Sequence, residues 1–231
     1  MRYLLLEVSE EATQTVATVS IIAMAVLAVV LFVLCCAKKN KNFDTKSIAY
    51  GALCLSMSFA LSFIKVSPVT YGGSITLASM LPVLLYAYCN GVGKGLLVGV
   101  LFGLLNFVQS PYILTPFTFL FDFVFAYGSI AIIGLFGKLP KRRLYLLLGI
   151  GAVYLVRFAM HFVSGLIYFS LDAVWAELPK DSGFVYSFLY NITYLAPDAA
   201  IVLTLCAALY QTSGFQMILK QLTPVKEVPA E

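Results

Sequence analysis

The sequence predicts an all-α, polytopic membrane protein of about seven transmembrane helices, a six-helix core preceded by one extra N-terminal span. Three observations carry this. The 231 residues are 61% hydrophobic and only 11% charged, with a mean hydropathy of +0.94, against roughly 25% charged residues in an ordinary soluble domain. The apolar stretches run to about 20 residues, the length that crosses ~30 Å of hydrocarbon at 1.5 Å per residue. Lys and Arg fall mainly in alternate loops, the asymmetry that orients a membrane chain.

The first stretch covers residues 16–37. It follows the acidic Glu7, Glu10 and Glu11 and ends in Cys35-Cys36-Ala37-Lys38-Lys39 without a small-residue cleavage pattern, so it is expected to be a retained helix rather than a signal peptide. The second covers 48–64. The third and fourth, 75–88 and 95–108, are short and are separated by Gly91-Val92-Gly93-Lys94. Glycine supplies the positive φ of tight turns, so these two predict an antiparallel hairpin. The fifth, 117–136, is approached through Ser110-Pro111-Tyr112-Ile113-Leu114-Thr115-Pro116, whose prolines allow an extended or re-entrant segment over an outward-facing pocket. The sixth covers 144–171, and the seventh, 184–210, is interrupted by Pro197. Three regions follow: a tail, extra helix and basic linker over 1–44, a six-helix domain over 45–212, and a C-terminal tail over 213–231.

Lys38, Lys39, Lys41 and Lys46 follow the first span, Lys94 the third, Lys138, Lys141, Arg142 and Arg143 the fifth, and Lys220 and Lys226 the last. The opposite side holds Arg2, Lys65 and Lys180. Because positive loops stay inside, the N-terminus is expected outside and the C-terminus in the cytoplasm, with the chain in the cell membrane. The net charge of +4 is this asymmetry rather than a nucleic-acid footprint, since the basic residues are not gathered on one stripe. Cys35, Cys36, Cys54, Cys89 and Cys206 show no CxxC spacing, so neither a disulfide framework nor a metal site is expected, and no cofactor. Cys35 and Cys36 stand at a membrane edge, where cysteines can be palmitoylated.

The informative residues are the polar ones inside spans: Asp122, Arg157, His161, Asn191 and Asp198, all in the last three. An ionisable group there costs ~2.5–3.5 kcal/mol and marks a functional site by default. Counted from the cytoplasmic ends, Arg157, Asp122 and Asp198 lie near the midplane, and His161 and Asn191 nearer the outer surface. Arg157 and Asp198, on consecutive antiparallel helices, could simply neutralise each other; one guanidinium would then serve Asp122 poorly. Arg157, His161, Gly165 and Phe169 recur every four residues along one helical row. The row offers a cation, an imidazole, a gap and a ring. The last span opens Phe184-Val185-Tyr186-Ser187-Phe188-Leu189-Tyr190-Asn191, rich in aromatic hydroxyls with one amide.

Together these residues describe a cavity that suits a small planar molecule with hydrogen-bonding edges and a positive charge. No GxxxxGK[ST] is present for phosphates. A single His and the lack of HExxH leave a membrane-embedded enzyme without a catalytic constellation, so a binding protein rather than an enzyme is expected.

Six segments carry a family resemblance over 48–210: Tyr71-Gly72 before a helix with Pro82, the glycine-rich hairpin through Gly103, Pro111-Tyr112-Ile113-Leu114, Phe119-Leu120-Phe121-Asp122, the run from Arg157 through His161 to Gly165, and Tyr186 through Asn191. In this order they resemble the thiamine-specific substrate-binding subunits, or S components, of energy-coupling factor (ECF) vitamin transporters. The resemblance implies that Asp122 stands where the family has a glutamate holding the aminopyrimidine, with Tyr186 and Asn191 adding polar contacts. It implies that His161 and Phe169 flank the thiazolium ring, that Arg157 stands at a family lysine, and that Tyr112 belongs to a closing loop.

Three departures bear on the ligand. Asp122 is one methylene shorter than glutamate, Gly73 replaces a tryptophan, and Leu77 falls where a further carboxylate can occur. A related pyrimidine or another vitamin therefore stays open beside thiamine. The resemblance also implies partners, a transmembrane coupling protein and two ATPase subunits. Ala49, Ala52 and Ser56, small residues at helical spacing that permit close approach, are either the docking row for the coupling protein or an internal packing face.

Overall fold

The computed structural model describes residues 44–68, 73–111, 116–139, 142–170 and 183–223. The extra N-terminal span and Tyr112 lie outside them, as do the side chains of Phe169 and Tyr186.

Helix α1, Thr45–Ser62, buries Ser47, Gly51, Cys54, Ser58 and Ser62, a single stripe of small residues. A Cβ on Gly51 would already sit 3.0 Å from the Tyr86 ring, and the Val83 amide donates to Ser58 Oγ at 3.2 Å. The small stripe thus lets α1 close on α2, Leu81–Asn90. Ala49, Ala52 and Ser56 lie on the other side of α1 and are exposed among the described residues.

Between α1 and α2 the chain forms an antiparallel hairpin absent from the sequence expectation: β1, Lys65–Pro68, against β2, Ser74–Thr76, with Ser67 opposite Ile75 and Pro68 opposite Ser74. Strands of three and four residues are too short to show a period against an apolar background. As a result the helix expected from residue 75 starts only at Leu81, with Pro82 in its first turn, where its missing N–H is harmless.

The expected α2–α3 turn is tighter than the four residues assigned to it. Gly91 alone makes it, at φ +87°, and α3, Val92–Gln109, begins at once. Helix α3 then presses on α4, residues 116–136: Cβ atoms at Gly99 and Gly103 would collide with the backbone carbonyls of Tyr127 and Phe123. α4 is not a uniform helix. It runs α over Pro116–Phe119, π over Leu120–Phe125, α over Ala126–Gly128, 3-10 over Ser129–Ile132 and α again over Ile133–Phe136.

Two long helices complete the bundle, α5, Arg142–Ser170, and α6, Gly183–Leu209, with Pro197 inside α6. Residues 213–222, assigned to the tail, form a further helix, α7, Ser213–Leu222. Thr212 caps it, Phe215, Leu219 and Leu222 are buried, and Asn90 donates to the Leu222 carbonyl at 3.0 Å.

Among the described residues four helical stretches are long and apolar enough to cross a membrane: Val92–Gln109, Phe117–Phe136, Arg143–Leu166 and Gly183–Leu209. Leu81–Asn90 is apolar but shorter. The all-α membrane fold therefore stands, with the small β-hairpin added. The apolar core gathers Val83, Leu84, Phe102, Ile130, Ile133, Leu146, Ile150, Val153, Val202 and Cys206. Along α5 it ends at Tyr154; the next buried residues toward Ser170 are Arg157 and Ser164. That change from apolar to polar burial locates the site.

Candidate ligand site

Helices α5 and α6 run antiparallel in a register set by side-chain bonds. The Tyr154 hydroxyl donates to Asp198 Oδ2 at 2.6 Å, Asn191 Nδ2 to the His161 carbonyl at 3.3 Å, and Ser187 Oγ to the Phe162 carbonyl at 2.9 Å. Gly165 faces Ser187 so closely that a Cβ there would collide with the Ser187 hydroxyl. This corrects the reading of Gly165 as a gap for a bulky ligand: the missing side chain is filled by the neighbouring helix.

Asp122 sits in the π-helical part of α4. Both of its oxygens reach α5: Oδ1 pairs with His161 Nδ1 at 2.8 Å, and Oδ2 accepts from Ser164 Oγ at 2.6 Å. His161 and Ser164 are three residues apart and share one helix face. The His161 side chain is 11% exposed and that of Asp122 26%, so the pair is largely sheltered yet reachable. When the ring is neutral, the carboxylate fixes its proton on Nδ1 and leaves Nε2 as an acceptor. Nε2 is buried and has no partner among the described residues.

Arg157 lies one turn deeper and does not serve Asp122. Its Nη2 donates to the Tyr127 hydroxyl at 3.0 Å, its Nη1 approaches Met80 Sδ at 2.6 Å and Asp198 Oδ2 at 3.9 Å, and the guanidinium lies 4.5 Å from the Tyr127 ring centroid. Asp198 in turn accepts from the Thr76 amide and the Thr76 hydroxyl, both at 3.0 Å. The neutralising pair of Arg157 and Asp198 is therefore present, and it ties β2 to α5 and α6. The expected common depth of Asp122 and Arg157 is corrected: Asp122 pairs at the level of His161. Arg157, expected among the cavity-lining residues, is enclosed by this network.

Asn191 is buried and internally bonded. Its Nδ2 donates to the Ser187 carbonyl at 2.8 Å, and its Oδ1 accepts from the Tyr194 hydroxyl at 2.7 Å. The Tyr194 ring lies edge-on to His161 with centroids 6.0 Å apart, and to Tyr190 at 5.5 Å. The Gly73 amide donates to the Tyr190 hydroxyl at 3.0 Å. Tyr190 belongs to the hydroxyl-rich opening of the last span, whereas Ser164, Tyr194 and Thr76 were not singled out by the sequence. Ser164 was accessible to it, standing three residues from His161 on the same face; Thr76 was not, because its role depends on a hairpin the sequence does not announce.

A polar cluster at one end of an apolar-cored bundle with helices long enough to cross a membrane defines an all-α membrane protein with ionisable groups gathered at one end. The chain belongs to the thiamine transporter protein family, whose family model matches residues 48–217. It is 30% identical over 154 residues to the thiamine transporter ThiT of Bacillus subtilis strain 168, covering 62% of this chain and 77% of that protein. The fold is similar to the solved structure of ThiT from Listeria monocytogenes, with a TM-score of 0.57 at 20% identity, covering 77% of this chain and 97% of the other. Transport rather than catalysis is thus the activity of the family, and the expectation of a non-enzymatic, multi-pass membrane protein holds on that ground.

Proposed function

We propose that this chain is the substrate-binding subunit of an ECF transporter, capturing extracellular thiamine for ATP-driven uptake by partner subunits. The observation that carries the reading is the Asp122–His161–Ser164 cluster, which holds a carboxylate and an Nε2 acceptor with no partner among the described residues in a sheltered site. Such a pair calls for a ligand edge that donates hydrogen bonds, and a 4-aminopyrimidine has one. An unmet buried acceptor costs ~1–3 kcal/mol, so a ligand lacking the donor is penalised twice. Asn191 acts by holding His161 and Tyr194; Tyr112, Phe169 and Tyr186 are the further contacts that the family pattern assigns.

Three features support the wider assembly. The exposed row of Ala49, Ala52 and Ser56 suits close approach of a transmembrane coupling protein, with two ATPase subunits beyond it. The distribution of Lys and Arg puts the N-terminus outside and the C-terminus in the cytoplasm. The site lies toward the outer end of the bundle in that orientation. A second reading, a different vitamin or pyrimidine compound, is favoured by the short Asp122 and by Gly73, where an added Cβ would press on the Tyr190 and Tyr194 side chains.

Oxythiamine, which carries a carbonyl in place of the amino group, tests the reading. Thiamine should quench the intrinsic fluorescence of the purified chain at nanomolar to micromolar levels, and oxythiamine should bind at least about tenfold more weakly. Equal binding of the two would remove the donor argument. No response to thiamine together with a response to another vitamin would favour the second reading.

A further inference from the structure

The end of the bundle away from Asp122 and His161 holds a second polar cluster, centred on Asn90 at the close of α2. The Asn90 amide meets three other helices at once. Its Nδ2 donates to the Leu222 carbonyl of α7 at 3.0 Å, and its Oδ1 accepts from the Ser47 hydroxyl of α1 at 3.1 Å and from Lys94 Nζ of α3 at 3.5 Å. Ser47 is gripped from two further directions: its hydroxyl accepts from Lys94 Nζ at 2.7 Å, and its carbonyl accepts from the Tyr86 hydroxyl at 3.1 Å. Ser47 and Lys94 are buried, a setting in which a hydrogen bond is costly to leave unmade.

Helix α7 is fastened at the same point. It buries Phe215, Leu219 and Leu222, and Cys89 Sγ lies 3.7 Å from the Leu219 carbonyl. Because α7 follows the end of α6, which lies about 27 Å along that helix from Asn191 at 1.5 Å per residue, the cluster is remote from the ligand site. Its effect falls on α1. Ser47 stands in the first turn of α1 on the buried stripe, whereas Ala49, Ala52 and Ser56 occupy the opposite, exposed side. Gly51, one turn on, already touches the Tyr86 ring. Helix α1 therefore cannot turn about its axis without breaking the Ser47 bonds, and the direction in which its small-residue row points is set by what holds Ser47.

We infer that Asn90 is a positioning residue for transport: by joining Ser47 to α3 and α7 it fixes the rotation of α1, and with it the direction of the Ala49–Ala52–Ser56 row. The inference rests on the reading of that row as the docking surface for a coupling protein and goes beyond it, because it assigns coupling to a residue that stands behind the row rather than on it.

The test measures two quantities on the full chain and on Ser47→Ala, Asn90→Ala and the double variant: thiamine affinity of the purified protein by calorimetry, and uptake of labelled thiamine in vesicles by the transporter assembled with its coupling protein and ATPases. Affinity should stay at the wild-type value in all three variants. The maximal uptake rate should fall about three- to tenfold in each single variant, with the half-saturating thiamine concentration unchanged. Since both residues act through one tie, the double variant should be no slower than the slower single variant. Asn90→Ala protein that takes up thiamine at the wild-type rate, loses of affinity that parallel a fall in Tm, or single effects that multiply in the double variant would each overturn the inference while leaving the docking row intact. Should Asn90→Ala not fold, Ser47→Ala, which removes one hydroxyl, carries the same prediction and is overturned by the same results. A wild type that binds thiamine yet takes none up with its partners, or an Ala52→Trp variant with undiminished uptake, would instead overturn the docking reading and the inference with it.

Discussion

At the residue scale, the site is a division of labour between carboxylates that look alike in sequence. Asp122 and Asp198 are both acids inside apolar spans, yet Asp198 is enclosed by Thr76, Tyr154 and Arg157, while Asp122 keeps 26% of its side chain open beside His161. Asp122→Asn removes the charge and one acceptor and should weaken thiamine about 10- to 100-fold, as expected for losing a hydrogen bond to a charged group; titration calorimetry reads this directly. Asp198→Ala should act differently. It leaves Arg157 buried without its counter-charge and the Thr76 amide without its acceptor, so it should destabilise the protein by about 3–5 kcal/mol, seen as loss of monodisperse protein or a large fall in Tm in detergent. Gly165→Ala puts a methyl onto the Ser187 hydroxyl and should cost about 1–3 kcal/mol, read as a lower Tm with a smaller effect on ligand affinity.

At the scale of elements, α4 is where regular geometry gives way. The π-helical stretch Leu120–Phe125 contains Asp122 and lies between α-helical pieces. Such insertions re-aim a side chain and recur at functional sites. The sequence gives no sign of it, because Leu120-Phe121-Asp122-Phe123 reads as ordinary apolar helix. Counting residues at a regular rise therefore set Asp122 level with Arg157, and the structure sets it with His161. The β-hairpin was hidden for a related reason: Lys65–Pro68 and Ser74–Thr76 are too short for periodicity, and their anchoring depends on Asp198, more than 120 residues away. By contrast the turn at Gly91 and the long spans of α5 and α6 were legible, since backbone chemistry and length decide them locally. For α1, the exposed Ala49, Ala52 and Ser56 give a separable prediction. Ala52→Trp should leave thiamine binding by the isolated chain unchanged and reduce ATP-driven uptake by the assembled transporter, measured with labelled thiamine in vesicles. Weakened binding would mean that the row packs internally.

At the scale of the whole molecule, composition and span length were enough for the fold class, and the matching family residues were enough for the thiamine transporter family. The site's residue types were legible too, because ionisable groups stand out against hydrocarbon. Their grouping was not, since a row of four on one helix does not say which member faces a neighbour. Arg157, His161 and Gly165 share that row and meet three different surroundings: the Asp198 network, Asp122 and Ser187. On the proposed function the two halves of the bundle have distinct tasks, an apolar core around Phe102, Ile150 and Val202 for stability and a polar end around Asp122 and His161 for recognition.

The most direct test of the account is titration of thiamine into the purified chain and into Asp122→Ala, with His161→Ala as companion. One-to-one, micromolar or tighter binding by the wild type that is lost in both variants, with their Tm little changed, is the predicted result. Thiamine binding that survives undiminished in both variants would contradict it.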